Sequence, residues 1–194
     1  MKKSLLAVLL AFALVAPVFA ADEGAMELDI KAGFNVMTNV KIDDFDTDES
    51  VDPAFSAGVD FFYYVMPDLA IGAGVDYVFN SKVANSGNLK AGWTNLYVQA
   101  KYVFETGNDI FNNVYPLLQI GYAILSTENL EEVDIDSNGL YWGIGVGTTI
   151  KENFVFELLY ANNKATLGNP HGSETADLKY STLKLKIGYN FNFY

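Results

Sequence analysis

The sequence predicts an all-β fold: an eight-stranded antiparallel up-and-down transmembrane β-barrel, preceded by a cleaved signal peptide. Three observations predict it. Residues 1–20 have the pattern of an export signal. The remainder alternates apolar and polar side chains with a period of two, in eight separate segments. Short turns and long polar connections alternate between these segments. We therefore expect a signal peptide at 1–20 and one barrel domain at 21–194.

The N-terminal segment has a positive start at Lys2 and Lys3, followed by the apolar stretch 5–15. This stretch is shorter than the ~20 residues that a membrane-spanning helix needs, which disfavours a retained helical anchor as the alternative. Small residues at the end of the segment suit a signal peptidase. We expect cleavage between Ala20 and Ala21.

Eight alternating segments follow, of about the length that a tilted membrane strand requires. They are 26–36, 55–65, 69–79, 95–104, 114–124, 140–150, 154–161 and 183–193. The last segment is the clearest, because apolar residues from Leu183 to Phe193 alternate without error with polar residues and glycine. The fifth is the least regular, since Pro116 removes one hydrogen-bond donor and is expected near a strand start.

The connections between these segments alternate in length. Those near 66–68, 106–108 and 151–153 are short, whereas those near 37–53, 81–92, 126–139 and 162–178 are long and polar. Short turns on one rim and long loops on the other are typical of bacterial outer-membrane barrels, and an even strand count places both termini on the periplasmic, short-turn side. The sequence therefore predicts the bacterial outer membrane as the location.

Alternation alone leaves two barrels open, one with its apolar face in lipid and a soluble one with its apolar face inside. The polar face favours the first, because it carries many glycines, among them Gly72 and Gly145. Glycine weakens a strand that faces water but fits the crowded interior of eight strands. Aromatic residues also lie near both ends of the apolar face, as in membrane girdles, although strand propensity alone is the alternative explanation.

The polar face also carries nine charged residues, five acidic and four basic. They are Glu27, Asp29, Lys31, Asp60, Asp76, Lys101, Glu157, Lys184 and Lys186. Because an unpaired charge is costly in a poorly hydrated interior, we expect a paired network that plugs the lumen. Closure of the barrel is expected to bring Lys184 and Lys186 to Asp29, Glu27 or Glu157. The alternative use of these residues is a solute channel.

With these features the chain resembles the outer membrane protein β-barrel domain family, in its small OmpA-like and OmpX-like form. The resemblance covers residues 25–194 and implies an eight-stranded barrel without the peptidoglycan-binding domain of the larger members. It also implies an assembly signal in the last strand, where Lys186, Gly188, Phe191 and Phe193 are similar to the pattern that the barrel assembly machinery recognises. Tyr194 follows the final patterned aromatic, which departs from that pattern by one residue.

Two of the long connections are strongly acidic. Their acidic residues include Asp43, Asp44, Asp46, Asp48, Glu49, Glu131, Glu132, Asp134 and Asp136. The stretch that begins at Asp134 starts like an EF-hand loop, but its twelfth position is Gly145, where that loop requires a bidentate glutamate. We therefore expect solvated charge here, with divalent-cation binding as the alternative, and no cofactor.

The composition limits the kinds of binding partner and of chemistry that the protein can have. The net charge of −12 disfavours nucleic acid, and the absence of cysteine excludes disulfides and thiolate metal sites. The single histidine, His171, lies near Ser173 and Glu174 in a long loop, without the fixed geometry that catalysis needs. We expect a non-enzymatic surface protein that contacts outer-membrane lipid and lipopolysaccharide, the export and barrel assembly machinery, and an extracellular ligand through its loops. A narrow channel for small or hydrophobic solutes and, third, a lipid-modifying enzyme are the alternatives.

Overall fold

The computed structural model describes residues 23–42, 45–50, 52–82, 90–108, 110–128, 138–151, 153–168 and 175–193. Ten strand segments make up the fold: β1 (Met26–Ile42), β2 (Phe45–Ser50), β3 (Ala54–Met66), β4 (Leu69–Lys82), β5 (Lys90–Tyr102), β6 (Phe104–Glu105), β7 (Phe111–Glu128), β8 (Asn138–Ile150), β9 (Phe154–Gly168) and β10 (Thr175–Phe193). No helix in these ranges has both the length and the apolarity to cross a membrane.

The ten segments form eight barrel strands. Both β2 and β3 pair with the same side of β1, so together they count as one barrel strand. In the same way β5 and β6 both pair with β7 and count as one barrel strand. Every pairing is antiparallel between neighbours, and β10 closes the barrel on β1 from Met26↔Phe193 to Ile42↔Leu178. Closure leaves no strand edge in the hydrocarbon, where unpaired backbone groups are costly. The predicted eight-stranded all-β barrel is confirmed.

The strands are strongly staggered around the wall. The stagger is seen by moving from each residue to its register partner on the next strand, once around the barrel. A path that starts at Met26 of β1 returns to β1 at Met37, after passing through Tyr63, Ile71, Ala100, Leu118, Ile144, Tyr160 and Leu183. One residue of this offset is extra, at a bulge between Asn35 and Met37. A stagger of about ten residues in eight strands tilts them and sets the narrow lumen.

Several strands run farther than their apolar alternation. The first connection was expected from residue 37, yet β1 continues to Ile42 and pairs with β2. In the same way β9 continues to Gly168 and β10 begins at Thr175, inside the predicted loop 162–178. Backbone pairing does not need an apolar face, so the ladders extend past the point where the side chains stop alternating.

The sequence suggested that Pro116 lies near the start of a strand. In the structure it lies well inside one. It is the sixth residue of β7 and pairs with Val146 of β8. On its other side the ladder with β5 ends at Lys101↔Leu117 and resumes with β6 at Phe104↔Val114. The missing N–H of proline explains why this wall position is divided into β5 and β6.

The two faces separate as predicted for a membrane barrel. Where the structure describes the side chains, apolar residues of the barrel strands point outward and are exposed, as Phe55, Leu118 and Ile187 illustrate, while the polar face lies buried inside. Aromatic rings contact one another near both rims, as in Trp142–Tyr160 and Phe154–Tyr189, with centroids 5.7 and 5.6 Å apart. The outer surface is therefore apolar with aromatic ends, which is the surface that lipid solvates.

Candidate functional site

The lumen holds the main cluster of functional side chains in the described part of the chain. All nine predicted inward charges lie in it, and each is at most 3% exposed. The alternation of each strand places them there, because every one occupies a position whose sequence neighbours point into lipid. The charges come from six different strands: β1, β3, β4, β5, β9 and β10. Burial on this scale requires that the charges neutralise one another.

Lys31 is the centre of the first cluster. Its ammonium donates to Glu157 of β9 at 2.5 Å and lies 2.8 Å from Asp60 of β3 and 3.1 Å from Asp29 on its own strand. Three carboxylates from three strands therefore surround one lysine. A second hydrogen bond fixes Glu157, since the hydroxyl of Tyr115 donates to it at 3.0 Å. This cluster joins the strands on both sides of the closing β10–β1 seam.

Glu27 and Lys101 form a second ion pair, nearer the short-turn rim. The Lys101 ammonium also lies 4.0 Å from the centroid of the Phe62 ring, within the range of a cation–π contact. Tyr64 donates to the other oxygen of Glu27 at 2.8 Å. A pair that is held by an aromatic face and a phenol hydroxyl is fixed in position and fills this end of the lumen.

Asp76 forms ion pairs with two lysines, which make up the third charged group of the lumen. Its oxygens lie 2.7 Å from the Nζ atom of Lys184 and 3.0 Å from that of Lys186. The sequence suggested Asp29, Glu27 or Glu157 as partners of these lysines. Register explains the difference. Lys186 lies beside Gly33 of β1, which is four residues from Asp29. The stagger of the strands instead places Asp76 at the same height along the barrel axis as both lysines.

Buried tyrosines and glutamines fill the space between the ion pairs. Tyr97 donates to Asp60 at 2.7 Å and packs against Tyr141 in a tilted arrangement, with ring centroids 5.3 Å apart. Tyr141 in turn donates to Gln119 at 2.6 Å, and Gln119 donates to Gln99 at 2.9 Å. Alternation predicts that these side chains point inward, but the sequence contains no signal for the partner each one selects.

Glycines provide the room for these rings. Tyr115 pairs across the ladder with Gly147, and Tyr97 pairs with Gly74. A Cβ atom at Gly147 would lie against the ring carbons of Tyr115, and one at Gly74 would lie against Tyr97. The glycines of the inner face therefore leave space that the large aromatic rings of neighbouring strands fill.

The arrangement fills the lumen with paired charges and aromatic rings. Its carboxylates and ammonium groups are directed at one another and are closed off by rings. Among the described residues no group of three acidic, histidine or cysteine side chains is arranged to hold a metal ion. The cluster thus links different strands of the wall through paired charges.

The remaining predicted site residues fall in several places. In the last strand, Phe191 and Phe193 pair with Leu28 and Met26 of β1, and Lys186 and Gly188 lie on the inner face. Asp46, Asp48 and Glu49 lie on β2. Outside the described residues lie Ala20, Ala21, Asp43, Asp44, Glu131, Glu132, Asp134, Asp136, His171 and Tyr194.

Comparison with solved structures shows the same fold. OprG from Pseudomonas aeruginosa aligns with a TM-score of 0.54 at 14% identity, over 92% of this chain and 100% of that one. Neisserial surface protein A aligns with a TM-score of 0.54 at 17% identity, over 86% of this chain and 99% of that one. At these identities the likeness concerns the fold alone. No curated protein sequence matches the chain.

A family model agrees with the architecture. The model for the outer membrane protein beta-barrel domain matches residues 4–191, which is nearly the whole chain. The closed wall, the apolar exterior and the buried charged lumen described above are the features that this family combines. The chain therefore belongs to the outer membrane protein beta-barrel domain family and is a β-barrel of the bacterial outer membrane.

Proposed function

We propose that this protein is a non-conducting surface protein whose rigid barrel carries four loop regions outside the cell. The single observation that carries the proposal is the paired and buried lumen, in which Lys31 alone contacts three carboxylates. A solute would have to separate these charges in order to pass. Leaving one buried charge without its partner costs about 3–5 kcal/mol, and the three groups would have to open together.

The loops are the natural location for a specific function, since binding residues concentrate on loops that a fixed scaffold positions. We infer that residues 1–20 are removed at Ala20–Ala21, that both termini are periplasmic and that the long connections face outward. The acidic residues of the first and third long connections then lie on the extracellular side. They suit a cationic or polybasic extracellular ligand, or divalent cations at the lipopolysaccharide surface.

The remaining partners follow from the same location. Lipid and lipopolysaccharide contact the apolar exterior. We also propose that the barrel assembly machinery recognises the end of β10, where Phe191 and Phe193 stand on the outer face. No cofactor and no catalytic residue are part of this proposal. A His171→Ala variant with unaltered lipid A in its host membrane is the expected result, and altered lipid A would support the enzyme instead.

Two measurements test the proposal. Planar-bilayer recording of the purified barrel should give no steady conductance, and the barrel should take up no solute, because the ion pairs hold the lumen closed. Stepwise currents would support the narrow channel instead. An antibody against a tag inserted between Asp43 and Asp44 should label intact cells. Labelling only after permeabilisation would contradict the outward orientation of the loops.

Ligand binding needs a charge-matched comparison. Neutralising three acidic residues of the first loop by D43N, D44N and D46N should abolish adhesion or ligand binding while the barrel still folds. The control neutralises Glu23, Asp68 and Glu105, which are exposed acidic residues near the short-turn rim. Equal binding by the loop variant and the control would count against a role for the loop.

A further inference from the structure

The charges buried in the lumen are unequal in number. Among the described residues the lumen holds five carboxyl groups and four lysine ammonium groups, and each of these residues is at most 3% exposed. One negative charge is therefore left over. A buried carboxylate without a counter-charge is so costly that such a group normally takes up a proton and becomes neutral. The imbalance thus indicates one protonated carboxyl group in the lumen.

The surplus negative charge lies toward the short-turn rim. Asp76 alone contacts two lysines, so this group carries one excess positive charge. Among the described side chains, the other four carboxyl groups share two lysines, Lys31 and Lys101. The four are Glu27, Asp29, Asp60 and Glu157. One proton among them leaves a single negative charge in this part of the lumen, which matches the excess positive charge of the Asp76 group.

The hydrogen bonds identify the carboxyl group that holds the proton. Four of the five accept a hydrogen bond from a lysine or tyrosine of the lumen, which stabilises the ionised form: Glu27, Asp60, Asp76 and Glu157. Asp29 is 0% exposed, yet neither of its oxygens accepts a hydrogen bond from a described group. The Nζ atom of Lys31 lies 3.1 Å from one of these oxygens but donates to Glu157 at 2.5 Å. Asp29 therefore has the weakest support for a negative charge.

The neighbours of Asp29 also disfavour its ionisation. Its register partner on β3 is Asp60, and like charges directly opposite each other destabilise a sheet. Glu27 lies two residues earlier on the same face of β1, and the two carboxyl groups are close enough for a hydrogen bond. Two carboxylates at that distance repel each other, whereas one proton between them makes a hydrogen bond. The register partner on β10 is Asn190, which is neutral.

We propose that Asp29 is a proton-binding site, in which its protonated carboxyl group donates a hydrogen bond to the carboxylate of Glu27. Glu27 is the charged partner, because Lys101 and Tyr64 donate to its two oxygens. The other titratable groups that face the pair are Lys31, Asp60, Tyr115 and Glu157. The ammonium of Lys31 beside Asp29 disfavours a metal cation as the occupant. This site goes beyond the surface role proposed above, since it concerns the lumen and needs no ligand at the loops.

Infrared spectroscopy of the full barrel in lipid vesicles tests the proposal. A protonated carboxyl group has a carbonyl stretch at higher frequency than the carboxylate band, and wild type at neutral pH should show one that shifts in deuterium oxide. Asp29→Asn should abolish this band. The control Asp68→Asn, at an exposed residue, should keep it. A wild type that lacks the band, or a band that survives Asp29→Asn, would overturn the proposal.

Stability gives a second readout. Asparagine is neutral and still donates to Glu27, so Asp29→Asn should unfold near pH 5 at a urea concentration no lower than that of wild type. Asp60→Asn is the matched comparison, because Asp60 contacts the same Lys31 and accepts a hydrogen bond from Tyr97. This variant should unfold at a lower urea concentration. An equal loss in the two variants would show that Asp29 is ionised like its neighbour.

The pH dependence has a definite sign. An unfolded aspartate is ionised above about pH 5, so folding of wild type takes up one proton that folding of Asp29→Asn does not. The stabilisation is thus present at low pH and is lost as the pH rises. From about pH 5 to 7 the folded-to-unfolded ratio of wild type should fall about tenfold per pH unit relative to that of Asp29→Asn. Parallel pH profiles would contradict the bound proton, and a wild type stabilised by sodium but not by choline would assign the site to a metal cation.

Discussion

Lys31 and Glu157 are 126 positions apart in the sequence, yet the ammonium of the first donates to the carboxylate of the second at 2.5 Å. The two residues lie on β1 and β9, which flank β10 on its two sides. Their contact exists only when the first and last strands of the barrel pair. The same lysine also binds Asp60 on β3, so one side chain holds together the strands on both sides of the closing seam.

Replacing Lys31 by methionine should strongly destabilise the barrel. The change leaves Asp29, Asp60 and Glu157 buried without their shared cation, which should lower the free energy of unfolding by about 3–5 kcal/mol. Urea unfolding in lipid vesicles measures the loss. The control is Lys151→Asn, because Lys151 is exposed in a turn at a φ of 48°, which asparagine tolerates. A loss below about 1 kcal/mol for Lys31→Met would contradict the central role of this lysine.

The Asp76 group should behave as a coupled unit. Asp76→Asn alone leaves Lys184 and Lys186 without their carboxylate and should cost about 3–5 kcal/mol. Adding Lys184→Met removes one of the stranded charges, so the double variant should be more stable than Asp76→Asn. A double-mutant cycle on unfolding free energies measures this coupling. Purely additive losses would show that the two residues act independently.

Two lumen glycines should differ in their tolerance of a methyl group. A Cβ atom at Gly121 would strike the backbone of Leu96 and Tyr97 on the neighbouring strand, so Gly121→Ala should cost about 1–3 kcal/mol and impair folding. At Gly143 the nearest atoms are the ends of the Leu159, Gln119 and Tyr141 side chains, which can move. Gly143→Ala should therefore remain near wild type. Comparison of refolding yields in detergent decides, and equal yields would refute the packing argument.

The two tryptophans offer a direct test of which face meets lipid. Trp93 is 1% exposed inside the lumen, where its ring lies 5.7 Å from that of Tyr180, whereas Trp142 is 38% exposed on the outer face. In vesicles of brominated lipid, a Trp93→Phe variant that retains Trp142 should be strongly quenched. A Trp142→Phe variant that retains Trp93 should fluoresce almost as it does in ordinary lipid. The opposite ranking would place the apolar face away from the membrane.

The fold was largely predictable because the side-chain period of a strand is two. The alternation from Leu183 to Phe193 assigns every residue to a face without any knowledge of its neighbours. Strand ends were less predictable. The alternation stops near residue 36, but β1 continues to Ile42, because its backbone pairing with β2 and β10 does not depend on an apolar face.

By itself, the sequence determined which side chains enter the lumen, which ones meet lipid, and that the charges inside must compensate one another. Only the tertiary structure decided the partners. Lys186 and Asp76 are brought together by a stagger of about ten residues around the wall, and this stagger depends on the register of every pair of strands. A face is a local property of one strand, whereas a partner across the barrel requires the closure of all eight.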